Sequence, residues 1–211
     1  MRQFNNVYLD IETYGGKHKP SLEDIAAPSN YKDPEKILKY RQERLQDAWG
    51  KQALNPLKGE IICIGYAIDS HKPECIIGEE EDIVSTFSEV LRTLSYINLI
   101  GYNVLGFDFP WLYLRAVKYN LPILKSVLPE KKNDTGYKDL MQEVSSTLYG
   151  KDSYLSLNDV CGFFGLKGKE GMDGSMVHQA FVDGKIQEIA EYCKDDVERN
   201  RSLYKLLNNE L

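Results

Sequence analysis

The sequence predicts an α/β domain built on a mixed central sheet, and three observations carry that reading. Short apolar runs rich in strand formers alternate with amphipathic stretches of helical period. The second and third strand runs are joined by the tight turn Ser70-His71-Lys72-Pro73, which makes them an antiparallel hairpin. Elsewhere a helix separates one strand from the next, the connection a parallel pair requires. The sheet is therefore neither purely parallel nor purely antiparallel, with helices packed on it.

The elements follow in order. Val7-Tyr8-Leu9-Asp10-Ile11 is the first strand, closed by Thr13-Tyr14-Gly15-Gly16. Residues 17–58 are polar, with prolines at 20, 28, 34 and 56, and read as a partly helical insertion on a single domain spanning 1–211. Within it Asp33 caps a helix that has Pro34 at its first position. Ile37, Leu38, Arg41, Leu45 and Ala48 then recur at helical spacing. Glu60–Asp69 is a central strand and Glu74–Ile77 its return. Asp82–Ser95 is an amphipathic helix with Ile83, Val84, Phe87, Val90, Leu91 and Leu94 on its apolar face. Ile97–Gly101 is a strand, and a helix follows from Phe109 to Tyr119. Leu157–Phe164 and Ser175–Val182 are short helices, and Ile186–Leu207 is a long last one.

Composition narrows the class. A chain of 211 residues suffices for one well-buried domain, and 42% hydrophobic with 27% charged residues is ordinary for a globular protein. No apolar run approaches the ~20 residues of a membrane helix, and the N-terminus lacks the apolar stretch of a secretory signal. No membrane association is expected, and a cytoplasmic location is the default. The cysteines Cys63, Cys75, Cys161 and Cys193 show no C-x-x-C pairing and no metal-ligand spacing with histidine. Buried free thiols are expected, although Cys63 and Cys75 flank the hairpin and could face each other. A net charge of −6 argues mildly against a protein that coats nucleic acid, but a carboxylate-rich metal site contributes to the same balance.

Three local patterns carry chemistry. Asp10 and Glu12 are two apart on the first strand and so project from one face. Paired carboxylates on an apolar strand repel one another and lose hydration, costs that a divalent cation offsets. Gly101-Tyr102-Asn103-Val104-Leu105-Gly106-Phe107-Asp108 leads from a strand to a helix start, and its glycines permit a tight turn. Tyr192 and Asp196 are four apart on the last helix and share a face. Each pattern alone has an ordinary structural explanation: exposed loop acids, a helix cap, a half-buried tyrosine beside a surface charge.

Taken together and in order, D-x-E, N-x-x-G-F-D and Y-x-x-x-D resemble the DEDD superfamily of 3′→5′ exonucleases. The tyrosine-bearing subgroup, which includes the proofreading domain of family B DNA polymerases, is the most similar. Glu191-Tyr192-Cys193-Lys194-Asp195-Asp196-Val197 resembles that domain's Y-C-x-x-D-V. Ser153-Tyr154-Leu155-Ser156-Leu157-Asn158-Asp159-Val160 and Lys138-Asp139-Leu140-Met141 resemble its flanking S-x-x-L-x-x-V stretch and D-L-M strand. The match spans most of Val7–Tyr204, without the 17–58 insertion, and looks closest to stand-alone exonucleases related to the polymerase domain. One departure is His178-Gln179-Ala180-Phe181-Val182-Asp183, which resembles the third motif of the sister subgroup that uses histidine. Gly184 interrupts a helix just after it, whereas the Tyr192 helix continues, so Tyr192 is preferred and His178 is expected on a helix surface or in packing.

The resemblance implies a ribonuclease H-like fold and two-metal hydrolysis of phosphodiesters at the 3′ end of single-stranded DNA, or of RNA. It implies Asp10, Glu12, Asp108 and Asp196 as ligands of two Mg²⁺ or Mn²⁺ ions, which suit hard oxygen donors. Tyr192 would orient the attacking water. Thr13, Asn103 and Phe107 would grip the terminal nucleotide, Phe107 by stacking. Lys32, Lys36, Lys39 and Arg41 could hold the strand, but Glu35, Glu43 and Asp47 dilute that charge, so a solvated helix face is expected there. A catalytically weak binding or interaction module on the same fold is the other reading. Association with a replication or repair complex fits the resemblance but is not specified by the sequence.

Overall fold

A computed structural model describes residues 4–129, 136–146, 155–168 and 171–209. Five strands form one sheet: β1 (Asn5–Tyr14), β2 (Glu60–Ile68), β3 (Glu74–Ile77), β4 (Ile97–Gly101) and β5 (Tyr137–Asp139), in the order β3-β2-β1-β4-β5. β1 is antiparallel to β2 and parallel to β4; β2–β3 is the expected hairpin and β4–β5 is parallel. The mixed α/β class read from the sequence is the one observed.

Eight α-helices cover the sheet among the described residues: α1 (Pro34–Lys51), α2 (Glu80–Arg92), α3 (Asp108–Lys118), α4 (Pro122–Val127), α5 (Leu140–Ser146), α6 (Leu157–Phe163), α7 (Gly174–Val182) and α8 (Ile186–Leu207). The period of two along β1 assigns the layers. Val7, Leu9 and Ile11 pack in one core with Ile83, Val84, Phe87 and Leu91 of α2, Trp111 and Leu112 of α3 and Leu124 of α4. Tyr8 enters a second core with Ile100, Val160, Val197 and Leu203, and Tyr14 a third with Val177, Ile189 and Cys193. Asp10 and Glu12 fall between those last two cores, on the α8 face of β1.

Several boundaries move for identifiable reasons. β1 is longer than the apolar run, because Asn5 and Asn6 pair with β4 and Glu12 to Tyr14 pair with β2. α2 starts at Glu80, a buried carboxylate that the apolar pattern does not show. The D-L-M segment is strand only to Asp139, and α5 begins at Leu140. α4 is a single short helix with Pro122 in its first turn, too brief to carry an amphipathic period. In the 17–58 segment Asp33 caps α1 as expected, accepting from Glu35 N at 2.9 Å. α1 itself is the helix that the spacing of Ile37, Leu38, Arg41, Leu45 and Ala48 indicates, and it is mostly exposed: Trp49 is its one buried residue, and Leu38 is 47% exposed.

Glu80 closes the base of that segment. Its Oε1 accepts from Arg115 Nε at 2.7 Å and from Ile61 N at 2.9 Å, and its Oε2 from the Tyr119 hydroxyl at 2.6 Å. Arg115 also donates to the carbonyls of Pro56 and Gly59, fixing the return of the chain into β2. Both side chains are buried, so removal of Glu80 leaves Arg115 without its counter-charge, whereas Glu80 has a second cation in Lys118, 3.1 Å from its Oε2. Glu80→Ala is expected to cost about 3–5 kcal/mol in urea denaturation, and Glu80→Leu/Arg115→Met to restore most of it. A loss below about 1 kcal/mol for the single variant would show that the pair does not anchor this segment.

Candidate active site

β4 pairs with β1 only from Asn5 to Tyr8, so β1 runs on past its parallel neighbour. The backbone groups beyond that point are satisfied by side chains. Ile11 N–H donates to Asp108 Oδ1 at 3.1 Å, and Leu9 O accepts from Asn200 Nδ2 at 3.2 Å. A crevice opens at the carboxyl end of β1, where open α/β sheets place their ligands. It is a cleft of about 410 Å³ whose walls include Asp10, Glu12, Thr13, Asn103, Phe107, Asp108, Tyr192 and Asp196. Every site residue singled out in the sequence therefore reaches one cleft.

The arrangement within it is uneven. Ligand atoms of Asp10 and Glu12 lie within 4.8 Å of each other, with the Cys193 thiol in the same group. Asp108 enters from the first turn of α3. It is not a helix cap: Phe107 holds the cap position, and the Asp108 carboxylate is directed to β1. Tyr192 and Asp196 present one face of α8, as their spacing requires. Asp196 forms an ion pair with Arg199 one turn on. Arg199 is 4% exposed and lines the cleft, a residue that the sequence motifs do not single out. Its position three residues after Asp196, hence on the same face, was the available signal.

The turn carrying Asn103 is held by a residue that the sequence reading used only as a motif match. Asp139, buried at the end of β5, accepts from Asn103 N at 3.1 Å, Leu105 N at 3.0 Å and Met141 N at 3.1 Å. Asn103 adopts φ 59°, a left-handed conformation that asparagine tolerates. Gly106 lets the Asn103 side chain lie close, since a Cβ there would be 2.4 Å from Asn103 Oδ1 and would displace it. Phe107 is half-buried, with its ring 5.9 Å from Trp111, and still reaches the cleft.

Thr13 lines the cleft, but its hydroxyl donates to Ala53 O at 2.6 Å. That bond brings the inserted segment to the site, where Ala53 and Leu54 form part of the wall. β1 and β2 shift register between Glu12 and Thr13, a bulge that re-aims the end of the strand. His178 is not a helix-surface residue. It is 9% exposed, its Nδ1 accepts from Gly15 N at 3.1 Å, and its ring meets Trp49 edge-on at 4.6 Å. It is not among the cleft-lining residues, and burial, aided by Lys19, holds its pKa down, so it packs as a neutral ring. α7 ends at Val182, and Gly184 takes φ 77°, the interruption expected there.

Burial and like-charge repulsion disfavour ionisation of the acids gathered here. Burial, then Glu12 and Asp108, push the Asp10 carboxyl well above its ordinary range. Burial raises Asp108 to about 7, although it accepts backbone hydrogen bonds. Burial, then Glu12 and Asp10, raise Tyr192, so its phenol stays protonated at neutral pH. Asp10, Glu12, Asp108 and Asp196 offer the cleft hard oxygen donors, the kind that fits Mg²⁺ or Mn²⁺, with the Cys193 thiol beside Asp10.

Residues 68–205 match the family described as "Predicted 3'-5' exonuclease related to the exonuclease domain of PolB". That span holds Asp108, Tyr192 and Asp196; Asp10 and Glu12 precede it. A DNA polymerase of Archaeoglobus fulgidus is 31% identical over 68 residues, 32% of this chain and 9% of the polymerase. An uncharacterized protein of Methanocaldococcus jannaschii is 25% identical over 162 residues, 73% of this chain and 89% of that protein. The fold is similar to that of the family B DNA polymerase from the hyperthermophilic archaeon Pyrobaculum calidifontis. The TM-score is 0.66 at 16% identity, over 98% of this chain and 25% of the polymerase. The chain thus spans 9% and 25% of the two polymerases it matches, and its fold is ribonuclease H-like. No helix among the described residues is long and apolar enough to cross a membrane.

The electrostatics have a sign that can be measured. Asp108 titrates near 3.8 when unfolded and near about 7 in the fold, so between those values the native state keeps a proton that the unfolded chain has lost. Stability of the metal-free protein therefore falls as pH rises through that window, and Asp10 acts in the same direction. Thermal unfolding in EDTA should show a lower midpoint at about pH 8 than at about pH 5, with the difference reduced in Asp108→Asn. Mg²⁺ should raise the midpoint at the higher pH and have little effect at the lower one. A midpoint indifferent to both pH and Mg²⁺ would mean that these carboxylates do not share a strained, ion-accepting site.

Proposed function

Because this chain belongs to the family of predicted 3′-5′ exonucleases related to the exonuclease domain of PolB, we propose that it is a metal-dependent 3′→5′ exonuclease on single-stranded nucleic acid. DNA is the preferred substrate and RNA the alternative. The observation that carries the reading is the meeting of Asp10, Glu12, Asp108, Asp196 and Tyr192 in one cleft. In this reading residues 1–211 work as one unit, and the 17–58 segment supplies Ala53 and Leu54 to the substrate wall.

Asp10, Glu12 and Asp196 would hold one divalent ion, and Asp10 with Asp108 a second. When bound, such ions lower the pKa of water and offset charge on the departing oxygen. The chain's own groups do the rest. Tyr192, kept neutral by burial and the neighbouring acids, donates or accepts a hydrogen bond to position the attacking water rather than removing its proton. Phe107 offers a face on which a terminal base can stack without being read, and the wall at Leu54 limits how far the strand enters. Arg199 balances Asp196 and so limits repulsion within the cleft.

The test uses 5′-labelled single-stranded DNA and RNA with purified protein, in Mg²⁺ or in EDTA. Mg²⁺-dependent shortening from the 3′ end is expected, abolished by Asp10→Ala. Tyr192→Phe should slow turnover by about 10²-fold or more, and His178→Ala by no more than a few-fold once folding is verified. No shortening of either substrate would reject the enzyme and leave a binding module. The reverse ranking of Tyr192 and His178 would assign the chain to the histidine subgroup.

A further inference from the structure

Three cysteines far apart in sequence meet beside the carboxylates. Cys63 lies on β2, Cys75 on β3 and Cys193 on α8, and their sulfurs all fall within 4.8 Å of one another. The sequence reading found no metal-ligand spacing, and linear spacing indeed shows none, because the grouping exists only after the hairpin folds under α8. Cys63 and Cys75 are not directly opposed in the ladder: Cys63 pairs with Ile77 and Cys75 with Gly65. Gly65 leaves the room for this approach, since a Cβ there would lie 2.7 Å from Cys193 Sγ. All three are free thiols.

We propose that Cys63, Cys75 and Cys193 form a binding site for one thiophilic d¹⁰ cation of the Zn²⁺ or Cu⁺ class, separate from the carboxylate site. At a metal–sulfur distance of about 2.3 Å, three sulfurs around one ion sit about 4 Å apart, within reach of the observed grouping by small side-chain shifts. Thiolate donors select soft cations, while the adjoining carboxylates select hard ones, so the two sites sort their ions by chemistry. Binding converts S–H to thiolate and releases the protons to solvent. Cys75 is half-buried on the short edge strand β3 and gives the ion a route in, whereas Cys63 and Cys193 are fully buried. Within the trio, hydrogen bonds accepted from Cys193 and Cys63 draw the Cys75 thiol below its ordinary range, while burial pushes the Cys193 thiol well above it. Cys193 links the two sites: its Sγ lies 3.5 Å from Asp10 Oδ2. The inference does not depend on the cleft cutting nucleic acid.

The experiment titrates the reduced, metal-free full chain with Cd²⁺, read by the thiolate-to-cadmium charge-transfer band, with stoichiometry from native mass spectrometry. One Cd²⁺ per chain is expected to produce the band, with displacement by Zn²⁺ or Cu⁺. The thermal midpoint should rise by roughly 5–10 °C at a hundredfold excess over Kd. Cys75→Ser should remove both effects; its position on an edge strand makes the variant suitable even if Cys63→Ser fails to fold. Cys161→Ser, in α6, and Asp10→Asn/Glu12→Gln should keep the band. The proposal fails if no band forms, if the band survives Cys75→Ser, or if Asp10→Asn/Glu12→Gln abolishes it, which would place the ion on the carboxylates.

Discussion

The architecture of the site follows from β1 extending beyond β4. A central strand left without its neighbour exposes backbone donors and acceptors inside the protein, where leaving them unmade is costly. Here Asp108 accepts from Ile11 N–H and Asn200 donates to Leu9 O, so the missing strand is replaced by one side chain from α3 and one from α8. Those same contacts draw both helices to the end of β1. Bringing α3 and α8 together around Asp10 and Glu12 is what turns four separate acids into one site.

That arrangement is electrostatically expensive, and the surrounding structure shows where the cost is met. Asp10 and Glu12 occupy a gap between two apolar cores on the α8 face, and Asp108 reaches them from α3. Burial raises both Asp10 and Asp108, and repulsion from Glu12 and Asp108 adds to it at Asp10. Arg199 compensates Asp196, and the Cys193 thiol lies against Asp10. Asp139 contributes differently, since it is fully used in binding backbone N–H groups and shapes the turn from which Asn103, Phe107 and Asp108 enter. Asp139 is thus spent on structure, whereas Asp10, Glu12, Asp108 and Asp196 line the cleft.

The fold class was legible in short-range periodicity. The residues that line the cleft were picked out by the order of three motifs and their resemblance to a known family, each motif alone having an ordinary structural explanation. Spacing of two on β1 and of four on α8 fixes which side chains share a face, whatever packs against them. What stayed hidden depends on long-range meetings. The Glu80–Arg115 pair, the clamp at Asp139 and the thiol group each join residues that no local period relates. α1 was legible as a capped helix from local spacing, but the burial of Trp49 at its end depends on contacts that its own period does not show. His178 illustrates the same limit, since its motif is plausible as catalytic sequence but its ring is committed to Gly15 and Trp49. Ser153 and Tyr154 of the flanking motif lie outside the described residues.

The central claim is that the end of β1 is a hard-cation site built from Asp10, Glu12, Asp108 and Asp196. Crystals grown or soaked with Mn²⁺ and measured at a wavelength where manganese scatters anomalously test it most directly. The account predicts anomalous peaks about 2.0–2.2 Å from carboxylate oxygens of Asp10 and Glu12, the distance of a small hard cation, with Asp196 turned from Arg199 toward an ion. Manganese absent from this cleft, with Asp196 still paired to Arg199 and the other acids unliganded, would contradict it.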